Sequence, residues 1–398
     1  MSLFNAVEMA PRDPILGLNE QFNADPNPAK VNLGVGVYYD ENGKLPLLQC
    51  VQAAERAMME APKARGYLPI DGIVAYDSAV KNLVFGTDSE PVKSGRVATV
   101  QGLGGTGGLK IGADFLKHLK PDAKVLISDP SWENHRALFT QAGFEVESYP
   151  YYDAAKRGVN FEGMLASLNA APEGTVIVLH ACCHNPTGYD ITAAQWDQVI
   201  AVLKSRNLVP FLDLAYQGFG QGITEDGIAV AKCVAAGLSF FVSTSFSKSF
   251  SLYGERVGAL SVLCENKSEA DRVLSQLKIM IRTNYSNPPT HGGSVVAAVL
   301  NSPELRALWE KELGGMRVRI KEMRSALVDK LQSAGVKQDM SFITSQVGMF
   351  SYSGLTKDQM VRLRNEFGVY GTDTGRMCVA ALNNKNIDYV CASIAKVV

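Results

Sequence analysis

Residues 192–213 have the sequence TAAQWDQVIAVLKSRNLVPFLD, which predicts a helix followed by a buried strand. Thr192, with Gln195 in the third helical position, forms the capping box that begins many helices. From Trp196 onward the apolar residues recur at helical spacing and form one apolar face. The run Val209–Asp213 does not alternate with polar residues, a pattern typical of a strand that is covered on both faces of a parallel sheet.

Strands and helices alternate in the same way on both sides of this stretch. The other apolar runs that predict buried strands are Arg96–Val100, Lys124–Ser128, Thr175–His180, Phe240–Thr244 and Gly258–Leu263. This alternation predicts an α/β domain in which a mainly parallel sheet is sandwiched by helices. Ligands of such domains bind at the carboxyl ends of the strands, so we expect the functional residues there.

A smaller α+β domain is predicted by the change of pattern after Ser302. Ser302 and Pro303 have the residue types of an N-cap and a first helical position. Beyond that long helix lie an apolar run, Val347–Tyr352, and a further helix from Thr356 to Phe367. We expect residues 1–45 to form an N-terminal arm and part of the small domain, residues 46–312 the large domain, and residues 313–398 the C-terminal small domain.

The composition argues against nucleic acids and membranes as partners. The chain has 398 residues, of which 46% are hydrophobic, and this is enough for a large core. Its 39 basic and 40 acidic residues leave a formal net charge of −1, which predicts neither a nucleic-acid-binding nor an anionic-membrane surface. The N-terminus lacks the apolar core of a signal peptide, and no segment has the ~18 consecutive apolar residues of a membrane span. We therefore expect a soluble, cytoplasmic protein.

The seven cysteines and five histidines do not form a recognisable metal-binding pattern. Cys182 and Cys183 are adjacent and precede His184, which leaves a metal or redox site open. Free cysteine is among the most often buried residue types, so a buried strand end is the favoured interpretation. We expect free thiols and no metal.

A glycine-rich run, QGLGGTGG at residues 101–108, follows one predicted strand and opens a predicted helix. Glycines let the backbone approach an anion, and the free N–H groups of a helix N-terminus bind it. The run also fits the pattern Gly-x-Gly-x-x-Gly, with Asp129 at the end of the next strand, as in dinucleotide-binding proteins. Alone, it is compatible with an NAD-dependent oxidoreductase, with another phosphate site, or with a structural turn.

Two further segments place reactive side chains after buried strands. Asp213 could hold the nitrogen of a pyridine ring protonated, with the phenol of Tyr216 nearby, or it could equally be a helix N-cap. Lys248 lies in the segment Ser245–Phe250, and an apolar surround would lower its pKa as a Schiff-base amine requires. The serine hydroxyls around it and Arg256 would suit a phosphate group.

Three more residues carry weaker signals. Asn185 lies in an Asn-Pro-Thr-Gly segment that is, by itself, an ordinary turn. Arg282 and Arg376 each adjoin a short predicted element and could clamp a carboxylate with two hydrogen bonds, although an isolated arginine is more often a surface residue.

In this order and at these spacings, the motifs resemble the fold-type I aminotransferases, in the subgroup of aspartate and aromatic-amino-acid aminotransferases. The resemblance covers nearly the whole chain and takes precedence over the dinucleotide interpretation. The segments that carry it are VNLGVG (31–36), YLPI (67–70), HACCHNPTG (180–188), FSKSF (246–250) and GR (375–376).

The resemblance implies pyridoxal 5′-phosphate as cofactor and assigns the site residues. Lys248 would hold the cofactor as a Schiff base and shuttle the proton, and Asp213 would pair with the pyridine nitrogen, with His135 behind it. The remaining cofactor contacts would be Tyr216 and Asn185 at the ring oxygen, Trp132 stacked on the ring, and Gly104, Gly105, Thr106, Ser245, Ser247 and Arg256 at the phosphate. The substrate would contact Gly36, Tyr67, Trp132, Asn185, Arg282 and Arg376.

It also implies a homodimer with shared sites, in which Tyr67 reaches the partner's phosphate and Arg282 a side-chain carboxylate there. The resemblance further implies ping-pong kinetics. The amino-acid substrate would leave as a 2-oxo acid, and a second 2-oxo acid such as 2-oxoglutarate would accept the amino group. Segments such as Val37–Tyr39 resemble the bacterial aromatic members, so we expect transfer from tyrosine and phenylalanine, and also from aspartate and glutamate. An aspartate aminotransferase is the alternative. Gly108 and the polar run Gly371–Thr374 depart from common family residues, and the second weakens the prediction of a ring-binding pocket.

Overall fold

The computed structural model describes residues 2–398. The helices are α1 (Leu16–Ala24), α2 (Gln49–Glu60), α3 (Val74–Phe85), α4 (Glu90–Lys93), α5 (Gly104–Leu119), α6 (Glu133–Gln141), α7 (Phe161–Ala170), α8 (Ala193–Ser205), α9 (Ile223–Asp226), α10 (Ile228–Ala235), α11 (Lys267–Asn284), α12 (His291–Asn301), α13 (Pro303–Ser333), α14 (Lys357–Phe367) and α15 (Ile387–Ala395). The strands are β1 (Val31–Asn32), β2 (Val97–Leu103), β3 (Lys124–Asp129), β4 (Glu145–Pro150), β5 (Tyr152–Asp153), β6 (Gly158–Val159), β7 (Val176–His180), β8 (Val209–Leu214), β9 (Phe240–Ser245), β10 (Val257–Leu263), β11 (Phe350–Tyr352), β12 (Val369–Tyr370) and β13 (Arg376–Cys378).

A seven-stranded sheet with the order β2-β10-β9-β8-β7-β3-β4 organises the larger part of the chain. Strand β10 is antiparallel to both of its neighbours, and the other pairs are parallel. Each of the six predicted strands is present in this sheet, and the predicted α/β class is confirmed.

The glycine-rich run lies where β2 passes into α5, but its surroundings are not those of a dinucleotide-binding unit. In that unit the two parallel strands joined through the helix are neighbours in the sheet. Here β2 lies at the sheet edge beside the antiparallel β10, whereas β3 lies between β7 and β4. The NAD interpretation of the glycine pattern is therefore wrong.

Helix α5 packs closely on the sheet, and this contact holds its N-terminus in place. A Cβ atom on Gly112 would lie 2.5 Å from Cζ of Phe211, so the glycine leaves room for that ring. Phe211 is buried and its centroid lies 5.3 Å from that of Phe241. Burial of one such side chain stabilises the fold by about 2 kcal/mol.

By its internal contacts the chain divides into two compact units. The larger unit comprises Leu45–Lys321 and Ser345–Gly348, and it contains the seven-stranded sheet. The smaller unit comprises the residues up to Lys44 together with Glu322–Thr344 and Met349–Val398. Within the smaller unit β1 pairs with β12 in parallel and β11 with β13 antiparallel. No helix within residues 2–398 is both long and apolar enough to cross a membrane.

Candidate active site

The carboxyl ends of β7 and β8 bring two titratable side chains together. His180 is the last residue of β7 and lies in register with Asp213 in β8. Asp213 lies inside the strand, one residue before its end, so it is not a helix N-cap. This is the edge of the sheet at which parallel α/β domains bind ligands.

Asp213 is buried but has a strong hydrogen-bond donor. Its carboxylate accepts a hydrogen bond of 2.8 Å from Nε2 of His135, and Nδ1 of His135 lies 2.9 Å from Oγ of Ser131. Burial raises the pKa of Asp213, but the hydrogen bond from His135 and the nearby charge of Lys248 act against burial, and the pKa is lowered. The site therefore contains an ionised carboxylate at neutral pH.

A column of aromatic rings lies behind this pair. The ring of His180 is 5.0 Å from that of His135 and 4.2 Å from that of His184, which stacks on Tyr151 at 4.0 Å. Burial lowers the pKa of His180 to about 3 and that of His184 well below its usual value. Both rings are therefore neutral at physiological pH. Sequence analysis gave His180 no role, although its position at the end of a strand was a signal.

Lys248 lies in the turn that follows β9. The backbone N–H of Phe246 donates to the carbonyl of Val257, and the N–H of Ser251 donates to the carbonyl of Lys248, which fixes this turn. Nζ of Lys248 lies 4.9 Å from the ring centroid of Tyr216. The charge of Lys248 also acts to lower the pKa of Asp213. The lysine, the phenol of Tyr216 and the Asp213 carboxylate therefore form one interacting group.

Asn185 is buried in the loop after β7. The carboxylate of Asp190 holds that loop by accepting hydrogen bonds from the N–H groups of Cys183 and His184 at 2.7 and 2.8 Å. Cys182 is a buried free thiol whose pKa is raised well above its usual value by its hydrogen bond with Cys183 and by burial. A neutral buried thiol agrees with the interpretation of this pair as a packed strand end.

Arg256 and the start of α5 form a site suited to an anion. Nη1 of Arg256 donates to Oγ of Ser247 at 3.3 Å, and the N–H of Gly104 donates to the carbonyl of Arg256 at 2.9 Å. Gly104 has a φ of +70°, and a Cβ there would lie 2.4 Å from Nη2 of Arg256. Only glycine lets the guanidinium lie against this helix N-terminus, whose N–H groups attract anions.

The other residues predicted to bind phosphate also lie beside the start of α5. Helix α5 has no side-chain cap at its N-terminus, so the N–H groups that follow Gly104 in its first turn, including that of Thr106, are available to a ligand. A Cβ on Gly105 would lie 3.1 Å from Cβ of Ser245, the last residue of β9. These residues fit pyridoxal phosphate, because a buried carboxylate, a lysine beside a phenol and an anion site occur together.

Three further predicted residues differ in what they contact within this chain: Trp132, Tyr67 and Arg282. Trp132 precedes α6, and its ring lies 5.3 Å from that of His135. Tyr67 is 95% exposed, so it contacts little of its own chain. Arg282 is exposed near the end of α11, where it donates a hydrogen bond to Ser286.

The two remaining predicted residues lie in the smaller unit around one ring, that of Phe350. Arg376 is buried, donates through Nη2 to the carbonyl of Gly34 at 2.6 Å, and lies with its guanidinium carbon 4.3 Å from the centroid of Phe350. A Cβ on Gly36 would lie 2.7 Å from Cζ of Phe350. Thr372, in the polar run before Arg376, accepts a hydrogen bond from the N–H of Arg376 at 3.1 Å. Sequence analysis did not identify Phe350.

The chain is similar to known proteins in both sequence and structure. The family described as "Aminotransferase class I and II" matches residues 28–394. An aspartate aminotransferase of Pseudomonas aeruginosa is 65% identical over 100% of both chains, and an aromatic-amino-acid aminotransferase of Escherichia coli is 51% identical over 99% of this chain and 100% of its own. The crystal structure of an aromatic-amino-acid aminotransferase from Burkholderia pseudomallei, covalently bound to pyridoxal phosphate, has a TM-score of 0.97 with 67% identity and covers 100% of both chains.

Proposed function

This chain belongs to the class I and II aminotransferase family, and from that premise we propose that it moves the α-amino group of aromatic amino acids to a 2-oxo acid such as 2-oxoglutarate. It also accepts aspartate and glutamate. It is a transaminase that uses pyridoxal phosphate, the cofactor that is covalently bound in the related protein of Burkholderia pseudomallei. The observation that carries this proposal is the group formed by Lys248, Tyr216 and the ionised Asp213 at the carboxyl edge of the sheet.

Each part of the cofactor has a matching set of residues. When bound, pyridoxal phosphate supplies an electron sink for the bonds at the substrate α-carbon. The Asp213 carboxylate, held by His135, would keep a proton on the pyridine nitrogen. Tyr216 and Asn185 would hold the ring oxygen, and Trp132 would stack on the ring. The phosphate would be bound by Gly104, Gly105, Thr106, Ser245, Ser247 and Arg256.

Lys248 is the proton carrier of this proposal. Its Nζ would hold the cofactor covalently in the resting enzyme. As a free amine, Lys248 would take the α-proton of the substrate as a general base and then return a proton as a general acid. Because the first product leaves before the second substrate binds, the kinetics are ping-pong.

Substrate carboxylates are bound by two arginines with different roles. Arg376, beside Gly36, binds the α-carboxylate that every amino-acid substrate carries. Arg282 and Tyr67 serve the site of the partner in a homodimer, where Arg282 binds the second carboxylate of a dicarboxylic substrate. A dimer is supported by exposed apolar side chains near the N-terminus, since Leu3, Phe4 and Met9 are 86%, 72% and 97% exposed.

Kinetics with both substrate classes test the aromatic preference, because the relatives named above include an aspartate and an aromatic-amino-acid aminotransferase. We expect kcat/KM for phenylalanine and tyrosine to be comparable to that for aspartate, with 2-oxoglutarate as acceptor. If aromatic substrates react orders of magnitude more slowly than aspartate, the protein is an aspartate aminotransferase.

Replacement of Lys248 tests the chemistry itself. Lys248→Ala removes both the covalent anchor and the base, so we expect kcat to fall by roughly 10⁴-fold or more. The purified wild-type protein should be yellow and should bleach when amino acid is added. Lys232→Ala, which removes a surface lysine paired with Asp197, is the matched control and should retain full turnover. Full turnover by Lys248→Ala would refute the proposal.

A further inference from the structure

We propose that Phe350 is a positioning residue for substrate-carboxylate recognition, and that its aromatic face holds the guanidinium of Arg376 in the orientation that the carboxylate requires. This inference rests on the proposed function of Arg376 and extends it to a residue that has no polar group of its own. It concerns the smaller unit only.

The contact between the two side chains has the geometry of a cation–π interaction. The guanidinium carbon lies 4.3 Å from the ring centroid, and both side chains are 2% exposed. Arginine remains charged at all physiological pH values, and the face of an aromatic ring carries negative electrostatic potential. The attraction is stronger in a desolvated site than at the surface, so the ring stabilises the charge where water cannot.

The backbone that carries the ring is held by two sets of contacts. The buried Arg324 of α13 donates hydrogen bonds to the backbone carbonyls of Phe350 and Ile343. Strand β11 pairs with β13 so that Phe350 lies opposite Cys378 and Tyr352 opposite Arg376. These contacts fix the backbone from which both the ring and the guanidinium project.

Gly36 leaves room for the ring of Phe350 because it has no side chain. A Cβ atom there would lie 2.7 Å from Cζ and 3.3 Å from Cε1 of Phe350, closer than such atoms normally approach. Any larger residue would push the ring away from its present position. Gly34, two positions earlier, accepts the hydrogen bond from Nη2 of Arg376, so the same segment contacts both members of the pair.

These contacts together restrict the guanidinium to one plane. The ring supports one face, and the carbonyl of Gly34 accepts from Nη2. A planar guanidinium can bind a carboxylate with two parallel hydrogen bonds only when its plane is correctly oriented. Phe350 therefore contributes to affinity for the carboxylate without touching it.

The test separates the electrostatic role of the ring from its packing role. Two holoenzyme variants are compared with wild type: Phe350→Leu, and a protein in which Phe350 is replaced by 3,5-difluorophenylalanine, which keeps the shape of the ring but weakens its negative face. Two probes are titrated while the cofactor absorbance is followed. 3-Phenylpropanoate has the carboxylate and no amine, and phenethylamine has the amine and no carboxylate. Phe367→Leu is the matched control, because it removes the contact between Lys396 and Phe367, a cation–π pair at another place in the smaller unit.

We expect Phe350→Leu to weaken binding of 3-phenylpropanoate by about tenfold or more and the fluorinated ring to weaken it by a smaller factor. Phenethylamine should bind as to wild type, and Phe367→Leu should change neither probe. Equal affinity of the fluorinated and wild-type proteins for 3-phenylpropanoate would overturn the inference, as would a parallel loss of both probes.

Arg376→Gln distinguishes failure of this inference from failure of the proposed function. If Arg376 binds the substrate carboxylate, this variant loses affinity for 3-phenylpropanoate whatever Phe350 does. Unchanged affinity would refute the role of Arg376, and with it the inference. Loss of affinity in Arg376→Gln combined with no effect of either Phe350 replacement would refute the inference alone.

Discussion

His180 lies in register with Asp213 in the neighbouring strand, and its ring contacts two other imidazole rings. Both of its ring nitrogens are buried without a hydrogen-bond partner, and its ring is packed between those of His135 and His184. A charged imidazolium could not be solvated there, which is why the pKa of His180 is lowered to about 3. A neutral ring at this position leaves His135 as the group that interacts with the Asp213 carboxylate.

The lowered pKa of His180 predicts a loss of stability in mild acid. The unfolded chain protonates this histidine near pH 6.5, whereas the folded protein does so only near pH 3. Between these values the unfolded state binds more protons, so its stability relative to the folded state grows as the pH falls. The free energy of unfolding should decrease by roughly 1 kcal/mol per pH unit from this residue alone.

His180→Asn isolates that contribution when unfolding is followed between pH 6.5 and 5. The variant should lose less stability per pH unit than wild type. Asp190 has a pKa raised to about 6 by burial and contributes with the opposite sign, but it does so in both proteins. His118→Asn, which replaces an exposed histidine, should leave the wild-type slope unchanged. Identical slopes for wild type and His180→Asn would contradict the prediction.

At the scale of single elements, local sequence signals were reliable where they concerned helix ends. The capping box at Thr192 and Gln195 is present at the start of α8, and a second one, at Thr356 and Gln359, starts α14. These motifs depend on contacts between residues that are close in sequence. The edge strand β4 was missed, because its mostly exposed, partly charged residues do not form an apolar run.

Two glycines in open surroundings should respond in opposite ways to replacement by alanine. Gly315 lies inside α13, and no atom would approach a Cβ there within 4 Å. Gly315→Ala should raise the free energy of unfolding by ~0.5–1 kcal/mol, because glycine destabilises helices. Gly237, after α10, is equally open but has a φ of +71°. Gly237→Ala should lower stability by roughly 1–2 kcal/mol through backbone strain.

Thermal unfolding of the two variants and wild type, side by side, provides the measurement. Because neither alanine meets a neighbouring atom, the difference between them reports backbone conformation and not packing. Stabilisation by both substitutions, or destabilisation by both, would show that another effect dominates.

At the scale of the whole molecule, the proposed homodimer makes a prediction about complementation. Lys248 is proposed to serve the site of its own chain, and Arg282 that of the partner. Co-expression of a Lys248→Ala chain with an Arg282→Ala chain should therefore restore one wild-type site in each mixed dimer. With random pairing, about a quarter of the wild-type number of sites is expected, since half of the dimers are mixed.

The assay uses aspartate as substrate, because Arg282→Ala homodimers should lack the contact to its second carboxylate. The matched control pairs Lys248→Ala with Arg376→Ala. Both residues are proposed to act in the same site, so no mixed dimer contains an intact one and activity should stay at the level of the parents. Equal recovery in both mixtures, or none in either, would refute the shared site.

Much of this protein could be recognised from its sequence, because the necessary information is local. Buried strands such as Val209–Leu214, capping boxes and the glycines at the start of α5 all depend on neighbours along the chain. The proposed cofactor residues follow strands, and parallel strands end at one edge of a sheet, so their proximity could be anticipated. Family resemblance then supplied their roles.

Other features depend on contacts between distant parts of the chain and could not be anticipated. The NAD interpretation failed because a glycine pattern does not specify which strands lie next to each other in the sheet. The neutrality of His180 depends on rings from separate segments, and the contact of Phe350 with Arg376 and Gly36 joins three elements. Burial, charge stabilisation and close approach are properties of the packed molecule, since each depends on which atoms the fold places around a side chain.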